Sequence, residues 1–308
     1  MSRILCAGLV TVDLVHRVDR LPGADEKAQA TAVSIAAGGP AANAAVTAAA
    51  LGASVTLVTA VGSHPLGSLI RADLAAYGVE LIDATPGSPA PPPVSAITVL
   101  DGTGQRTIVS RNAGDAAVGV PDGGLPDADL TLVDGHHPRL AVAAARSARR
   151  LLVDAGTWRP VFAEIFPFAE VVAASAAFRH PGAFRHPGET TPTDTALAAA
   201  VGAPHTIVTH GPDPVRWFSG ARSGSVPVPP VAAVDTAGAG DAFHGALAVA
   251  LTDADIPRPA SLPTPPPADA APYSDRSDLS DCIAFAIRVA GVRVAHAGPR
   301  AWLAALPG

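Results

Sequence analysis

Strand-length apolar runs alternate with small-residue helical stretches along this chain, and that alternation narrows the fold to one class. Ala53 to Val61 is such a run, Leu66 to Tyr77 reads as a helix stopped by Gly78, and Val79 to Ile82 is the next strand. A strand, a crossover helix and a second strand make a parallel pair. The rhythm returns at Leu130 to Val133, Pro138 to Arg149 and Leu151 to Val153, the last ending in Asp154. It continues through Val171 to Ala173, the helical stretch Thr191 to Val201, and Thr206 to Thr209. Ile4 to Val12 is a continuous apolar run ended by Asp13, suited to the middle of a parallel sheet buried on both faces. A carboxylate at the C-terminal end of a first central strand stands where open α/β sheets bind ligands; a simple turn residue is the alternative. The expectation is an α/β fold whose sheet is mostly parallel and flanked by helices.

Two segments break the rhythm. Residues 14–35 alternate loosely, carry charge, and read as short exposed strands. Val94 to Leu100 and Gln105 to Ser110, joined by Asp101-Gly102-Thr103-Gly104, read as a hairpin that can pair with residues 14–35 in a small separate sheet. After Gly211 a hairpin-like run passes through Trp217 and Gly220, and Asp281 to Ala297 reads as a final helix. Ile256 to Ser280 is Pro-rich, with six prolines in 257–267, and reads as a mobile surface insertion rather than a domain boundary. Residues 1–308 are therefore expected to form one domain. Phe178-Arg179-His180-Pro181-Gly182 recurs as Phe184-Arg185-His186-Pro187-Gly188, which reads as a duplicated surface loop.

Composition excludes several classes. A net charge of −6 leaves no footprint of nucleic-acid binding. Nothing approaches the roughly 20 uninterrupted apolar residues of a membrane span. The two cysteines, Cys6 and Cys282, lie far apart without metal spacing, so a reduced, cytoplasmic compartment is the expectation. The histidines show no metal pattern either: His136 and His137 are adjacent, with no partner at helical spacing.

Chemistry is concentrated at two glycine turns. Val234-Asp235-Thr236-Ala237-Gly238-Ala239-Gly240-Asp241 is entered by an extended apolar run from Val226 and left by a small-residue helix from Ala242 to Leu251. Glycines let the backbone approach an anion, and a helix start offers free N–H groups and about half a positive charge. Asp241 on the first helical turn is then awkward beside a phosphate unless it acts, for example by taking a proton from an attacking hydroxyl. A tight turn with ordinary dipole complementation is the simpler reading of the same residues. No Gly-x-x-x-x-Gly-Lys-Ser/Thr occurs, and the next glycine after Gly240 is Gly245, so neither the P-loop nor the dinucleotide spacing is met. The earlier turn, Gly38-Gly39-Pro40, opens an Ala-rich helix in which Asn43 is the one large polar group. Its amide is either satisfied by backbone or aimed, as donor and acceptor, at sugar hydroxyls.

With Gly38-Gly39-Pro40-Ala41-Ala42-Asn43 in the first third and Asp235-Thr236-Ala237-Gly238-Ala239-Gly240-Asp241-Ala242-Phe243 in the last, the chain resembles the ribokinase-like (PfkB) carbohydrate kinases over nearly its whole length. Arg106-Thr107-Ile108-Val109 looks like ketohexokinases, and Phe243 to Ala248 like sulfofructose-type bacterial kinases. The resemblance implies a Rossmann-like core, a β-sheet lid formed by about 14–36 and 94–111, and ATP-dependent phosphorylation of a sugar hydroxyl, a ketose or related small carbohydrate. It implies Asp241 as base and the backbone of Ala237, Gly238, Ala239 and Gly240 as anion hole. Asp13, Gly38, Gly39 and Asn43 would hold sugar hydroxyls, with His136 as a further contact. Thr209, Gly211, Thr236, Ala237 and Gly238 would lie on the nucleotide side. ATP and Mg2+ are the implied cofactors, with room for a monovalent cation. In the family the lid often doubles as a dimer interface, so a homodimer is an expectation. Two departures stand out. The family's Asn-x-x-Glu motif is replaced by Ser175-Ala176-Ala177-Phe178, which leaves the metal ligands open. Gly135-His136-His137 lacks the arginine of sulfofructose kinases, which ranks that substrate below a neutral sugar. A nucleoside kinase and a catalytically weak sugar- or nucleotide-binding protein are the alternatives.

Overall fold

The structure, a computed structural model, describes residues 1–114, 117–184, 191–253 and 278–306. The first half runs β1 (Arg3–Ala7), β2 (Thr11–Val18), β3 (Ala32–Gly38), α1 (Pro40–Ala50), β4 (Ser54–Thr59), α2 (Pro65–Ala76), β5 (Val79–Asp83), β6 (Val94–Leu100) and β7 (Arg106–Ser110). The second half runs β8 (Leu130–Val133), α3 (Pro138–Ser147), β9 (Leu151–Ala155), α4 (Phe162–Ile165), β10 (Val171–Ser175), α5 (Asp194–Val201), β11 (His205–His210), β12 (Asp213–Ser219), β13 (Arg222–Val226), α6 (Ala239–Asp253) and α7 (Leu279–Val294).

Nine strands make one sheet in the order β13-β12-β11-β10-β9-β8-β1-β4-β5, and four make a smaller one, β3-β2-β6-β7. The large sheet is parallel from β5 to β11, and β12 and β13 add an antiparallel edge. Alternate residues of one strand feed two cores: Ile4 and Cys6 pack with α1, α2, α6 and α7, Leu5 and Ala7 with α3, α4 and α5. From β1 the chain builds outward to β4 and β5, then returns to β8 on the other side. Such a reversal opens a crevice outside the strand C-termini.

The Ile4–Val12 run is two strands, not one. Gly8 ends the first: a Cβ there would stand 2.4 Å from the Asp134 carboxylate. Leu9 N donates to the same buried Asp134 at 2.8 Å, and the chain crosses to the small sheet. Asp13 therefore belongs to β2, in the small sheet, and does not end a central strand. The run from Val226 is also shorter than expected: β13 stops there, and Val231 and Val234 are exposed in irregular backbone. The final helix begins at Leu279, capped by Asp278, so the last residues of the 256–280 stretch are helical. Residues 254–277 of that stretch lie outside the described residues. The first Phe-Arg-His-Pro-Gly copy is no plain surface loop. Phe178 is fully buried, and His180 meets the Trp158 ring edge-on at 4.6 Å. Most of the second copy lies outside the described residues.

Helix α1 presses directly on α6. A Cβ on Gly245 would lie 2.4 Å from the Ala44 carbonyl, so this glycine permits the approach that places the two glycine turns side by side. Cys6 and Cys282 are buried free thiols, whose pKa values burial lifts to about 12 and about 11. No helix among the described residues is long and apolar enough to cross a membrane.

Candidate active site

Pro40 starts α1 and Gly39 caps it with φ +92°. A side chain on Gly39 would meet the Leu9 carbonyl at 2.6 Å, and one on Gly38 would meet the Asp13 carboxylate at 2.0 Å. The Gly-Gly pair is thus demanded by the β1–β2 crossing and by Asp13 itself. One turn into α1, the Asn43 amide donates from Nδ2 to Asp241 Oδ2 at 2.8 Å. Residues 198 apart in sequence form one polar unit.

Asp241 lies on the first turn of α6. Before it, Gly238 takes φ +70°, and the space its missing Cβ would fill is ringed at 3.7 Å by Arg293 Nε, Asn43 Nδ2 and Asp241 Oδ2. A Cβ on Gly240 would meet nothing within 4 Å, so this side of the turn is open to an incoming group. The turn is braced from behind. Buried Asp235 accepts from Ala237 N at 3.0 Å, from Gly298 N at 3.2 Å and from Arg293 Nη2 at 3.2 Å. It is also braced by the small sheet. Arg106 Nη1 donates to the Thr236 carbonyl at 3.0 Å and hydroxyl at 2.8 Å, and that hydroxyl donates to the Gly104 carbonyl at 3.2 Å. The Thr236 side chain is therefore occupied by the β6–β7 hairpin.

A cleft runs between the small sheet and this turn, lined by Asp13, Val15, Asn43, Ile97, Gly238, Arg300 and Trp302 among others. Asp13 accepts from the Thr11 hydroxyl. Its pKa is raised, chiefly by burial against the Thr11 and Ser95 hydrogen bonds, with the Asp241 charge adding and Arg300 opposing. Asp13 and Asn43 in the cleft wall, with Asp241 and the α6 helix start against Asn43 and Gly238, can hold a hydroxyl, take its proton and cradle an anion.

The family pattern described as pfkB family carbohydrate kinase matches residues 1–305. This chain belongs to the pfkB family of carbohydrate kinases. It is similar to an ATP-dependent ribose-1-phosphate kinase of Halopiger xanaduensis, 31% identical over 279 residues, covering 84% of this chain and 88% of that one. It is 28% identical over 261 residues to a ribokinase of Bacillus subtilis, covering 82% and 87%. Among solved structures, a putative ribokinase from Agrobacterium tumefaciens superposes with a TM-score of 0.75 at 24% identity, covering 98% and 94%. The mostly parallel sheet with its helices and its separate small sheet is the fold of those structures. The protein is accordingly a phosphotransferase acting on carbohydrate.

In this pfkB kinase His136 stands outside the lining of the Asp13–Asn43 cleft. It follows β8, where Arg159 donates to its Nε2 at 2.9 Å, so the ring is a neutral acceptor there. Burial pushes its pKa down, and burial does the same to His137. Thr209 and Gly211 sit where β11 turns into β12, on the strand C-terminal edge, with Ala176 N donating to the Thr209 carbonyl at 2.8 Å. The pfkB kinase also carries site residues that sequence reasoning left unassigned: Asp235 and Arg293 behind the turn, and Arg300 with Asp73 beside Asn43. Arg293 left a legible signal, since it falls on the apolar face of α7 in phase with Ile283, Ala286 and Val289.

Asp154, on β9, is a further one. It is buried with its Oδ2 3.5 Å from His244 Nδ1. Burial raises its pKa to about 6; His244 opposes this, while the Asp241 and Asp134 charges add to it. Between about pH 4 and 6 the folded chain keeps a proton here that the unfolded chain releases, so stability falls as pH rises through that window. Above it the penalty persists, at about 3 kcal/mol. Asp154→Asn is expected to raise the urea midpoint at pH 7.5 and leave it unchanged near pH 4. An equal gain at both values would remove the charge explanation.

Proposed function

We propose that this enzyme transfers the γ-phosphoryl group of ATP to a hydroxyl of a small neutral sugar, a ribose-like pentose or a ketose, with Asp241 as the base. The observation that carries this reading is the Asn43–Asp241 hydrogen bond, which joins the sugar-facing turn to the anion-facing turn. The sugar would lie in the cleft with hydroxyls on Asp13 and Asn43 and its ring against Val15, Ile97 and Trp302. The small sheet would serve as its lid, excluding water from the transfer.

Neutrality follows from the charges. Both cations lining the cleft are committed elsewhere: Arg293 to Asp235, and Arg300 to Asp73 at 2.8 Å. Asp13 lines the space instead, with Asp241 next to its Asn43 wall, so a phosphate on the acceptor would meet carboxylates. In this the proposed acceptor differs from the ribose 1-phosphate named for the Halopiger xanaduensis relative. A nucleoside is the second choice, its base placed on the same Val15, Ile97 and Trp302 wall. Among the described residues no cluster of three or more His, Cys, Asp or Glu side chains forms a metal site. Magnesium would arrive on the phosphates of ATP, with water completing its shell, and no side chain is assigned to it. Arg293 already gives the turn a fixed cation, donating to the Asp235 side chain and to the His296 carbonyl at 3.0 Å. A monovalent ion would act in addition to it.

An ADP-release assay over ribose, ketoses, aldoses, sugar phosphates and nucleosides tests the reading. Turnover with a neutral sugar supports it. Turnover confined to phosphorylated sugars or nucleosides replaces the substrate class, and ligand-induced stabilisation without any turnover replaces the enzyme with a binder.

A further inference from the structure

Arg300 follows α7 on the Gly298-Pro299-Arg300 turn, and its guanidinium is saturated by the protein. Nε and Nη2 donate to Asp73 Oδ2 at 3.3 and 2.8 Å. Nη2 also donates to the Ala37 carbonyl at 2.6 Å. Nη1 donates to Asn43 Oδ1 at 3.1 Å and to the Pro299 carbonyl at 3.4 Å. Its plane lies over the Tyr77 ring at 5.5 Å. Five donors meet five acceptor contacts, so the side chain lines the cleft without a free N–H for a ligand. Its effect on chemistry must pass through what it holds.

Asn43 is the group it holds. A guanidinium only donates, so the Asn43 oxygen must face Arg300. A carboxylate acceptor then fixes the other side, and the NH2 faces Asp241. Remove the donor and the Asn43 oxygen loses its anchor, so the amide is held at Asp241 alone and can rotate off it. Asp73 makes the arrangement stiffer, because it also accepts from Ala37 N at 3.3 Å. One Arg–Asp pair thereby ties both backbone groups of the residue before Gly38-Gly39, on the edge strand of the small sheet, to the amide that meets the base.

We propose that Arg300 is the positioning residue of the active site, setting the Asn43 amide so that its NH2 addresses Asp241 and its place in the sugar subsite is fixed before sugar arrives. Arg300→Lys does not substitute for it. A single ammonium point cannot span Asp73, Ala37 and Asn43 as the planar fork does.

The proposal rests on the kinase reading for its kinetic arm but not for its spectroscopic one. In the ligand-free full-length protein, the Asn43 side-chain NH2 signals, assigned by their loss in Asn43→Ala, should form a distinct, slowly exchanging pair. In Arg300→Met, which keeps an apolar stem beside Tyr77, they should collapse to the averaged, fast-exchanging behaviour of a solvent amide. In the assay, Arg300→Met should raise the sugar KM on the order of tenfold, about one lost hydrogen bond, with the ATP KM little changed. Arg300→Lys should resemble Arg300→Met. In the Asn43→Ala background, Arg300→Met should add nothing further. Asp73→Asn, which loosens the pair without removing the guanidinium, gives the same comparison should Arg300→Met fail to fold. Unchanged amide signals, additive effects in the double variant, equal rises in both KM values, or full rescue by Lys would each overturn the assignment. Absence of turnover in the wild type would remove the sugar-kinase reading alone, since the amide signals still decide the role of Arg300.

Discussion

Asp241→Asn is expected to fold, bind nucleotide, and lose roughly 10²–10⁴-fold in kcat, which is about 3–5 kcal/mol of transition-state stabilisation. The amide keeps the shape of the carboxylate and an oxygen that can accept from Asn43 Nδ2, so the junction between α1 and α6 survives. What it cannot do is take a proton. A carboxylate is too weak a base to ionise an alcohol in the ground state, so in the proposed role its contribution would come late, as the hydroxyl oxygen bonds to phosphorus and becomes acidic. In the proposed reaction the first-turn N–H groups of α6 and the Gly238 turn would act on the other side, where charge spreads over the phosphoryl oxygens. Because the two contributions are separate, nucleotide affinity measured by calorimetry should hardly move while turnover collapses. Near-normal kcat in this variant would transfer the base role to another residue.

Arg293→Met is expected to cost about 3–5 kcal/mol of stability, the range for breaking a buried ion pair from one side. The guanidinium is pushed down in pKa by burial, with Asp235 opposing that shift. Its side chain is 5% exposed and that of Asp235 is 2% exposed, so neither charge has water to fall back on. Methionine fills the volume but leaves the Asp235 carboxylate with only the N–H groups of Ala237 and Gly298. The double variant Arg293→Met, Asp235→Asn should recover much of the loss, because the uncompensated charge is gone. Urea unfolding of the four proteins reads this directly. A loss below about 1 kcal/mol for Arg293→Met, the level of an exposed pair, would show that water reaches Asp235.

The parallel sheet, its helices and the 94–110 hairpin were legible because each rests on local periodicity and turn chemistry, which a sequence carries explicitly. Ile4–Val12 misled for a physical reason. An apolar run reports burial, and both the end of a central strand and the start of a strand facing the cleft are buried. Only Asp134, 126 residues beyond Gly8, makes the break, by occupying the place of a Cβ and binding Leu9 N. Asn43 and Asp241 were legible as two separate turns, each with its own glycines. Arg300 was not. Its partners come from α1, α2 and β3, and nothing near Gly298-Pro299-Arg300 in the chain announces them. Thr236 shows the converse limit, since a hydroxyl beside an anion turn is available to a nucleotide only if no neighbour has taken it, and here the small sheet has.

The parallel pairing of β2 with β6, in which Val12 stands opposite Val94, has a consequence for how the molecule comes together. All of α1, β4, α2 and β5 lie between those partners in the chain. The small sheet can close only after that intervening block has docked on the large one, and it brings little of its own interior, a cluster of Val15, Ile97 and Val99. At β3 it is gripped by the Arg300–Asp73 pair on Ala37, but at β6 and β7 its hold on the rest is local: Arg106 on Thr236, and Gly104 packed against Val234. It should therefore be the last unit to assemble and the first to open, with β6 and β7 amides exchanging well before those of β1 and β8; uniform protection across both sheets would refute this order. With the small sheet as the proposed lid, the element that would move for a sugar to enter would also be the least stable cooperative unit of the fold, so mutations or temperatures that loosen the native state should be felt in sugar affinity before they are felt in global unfolding.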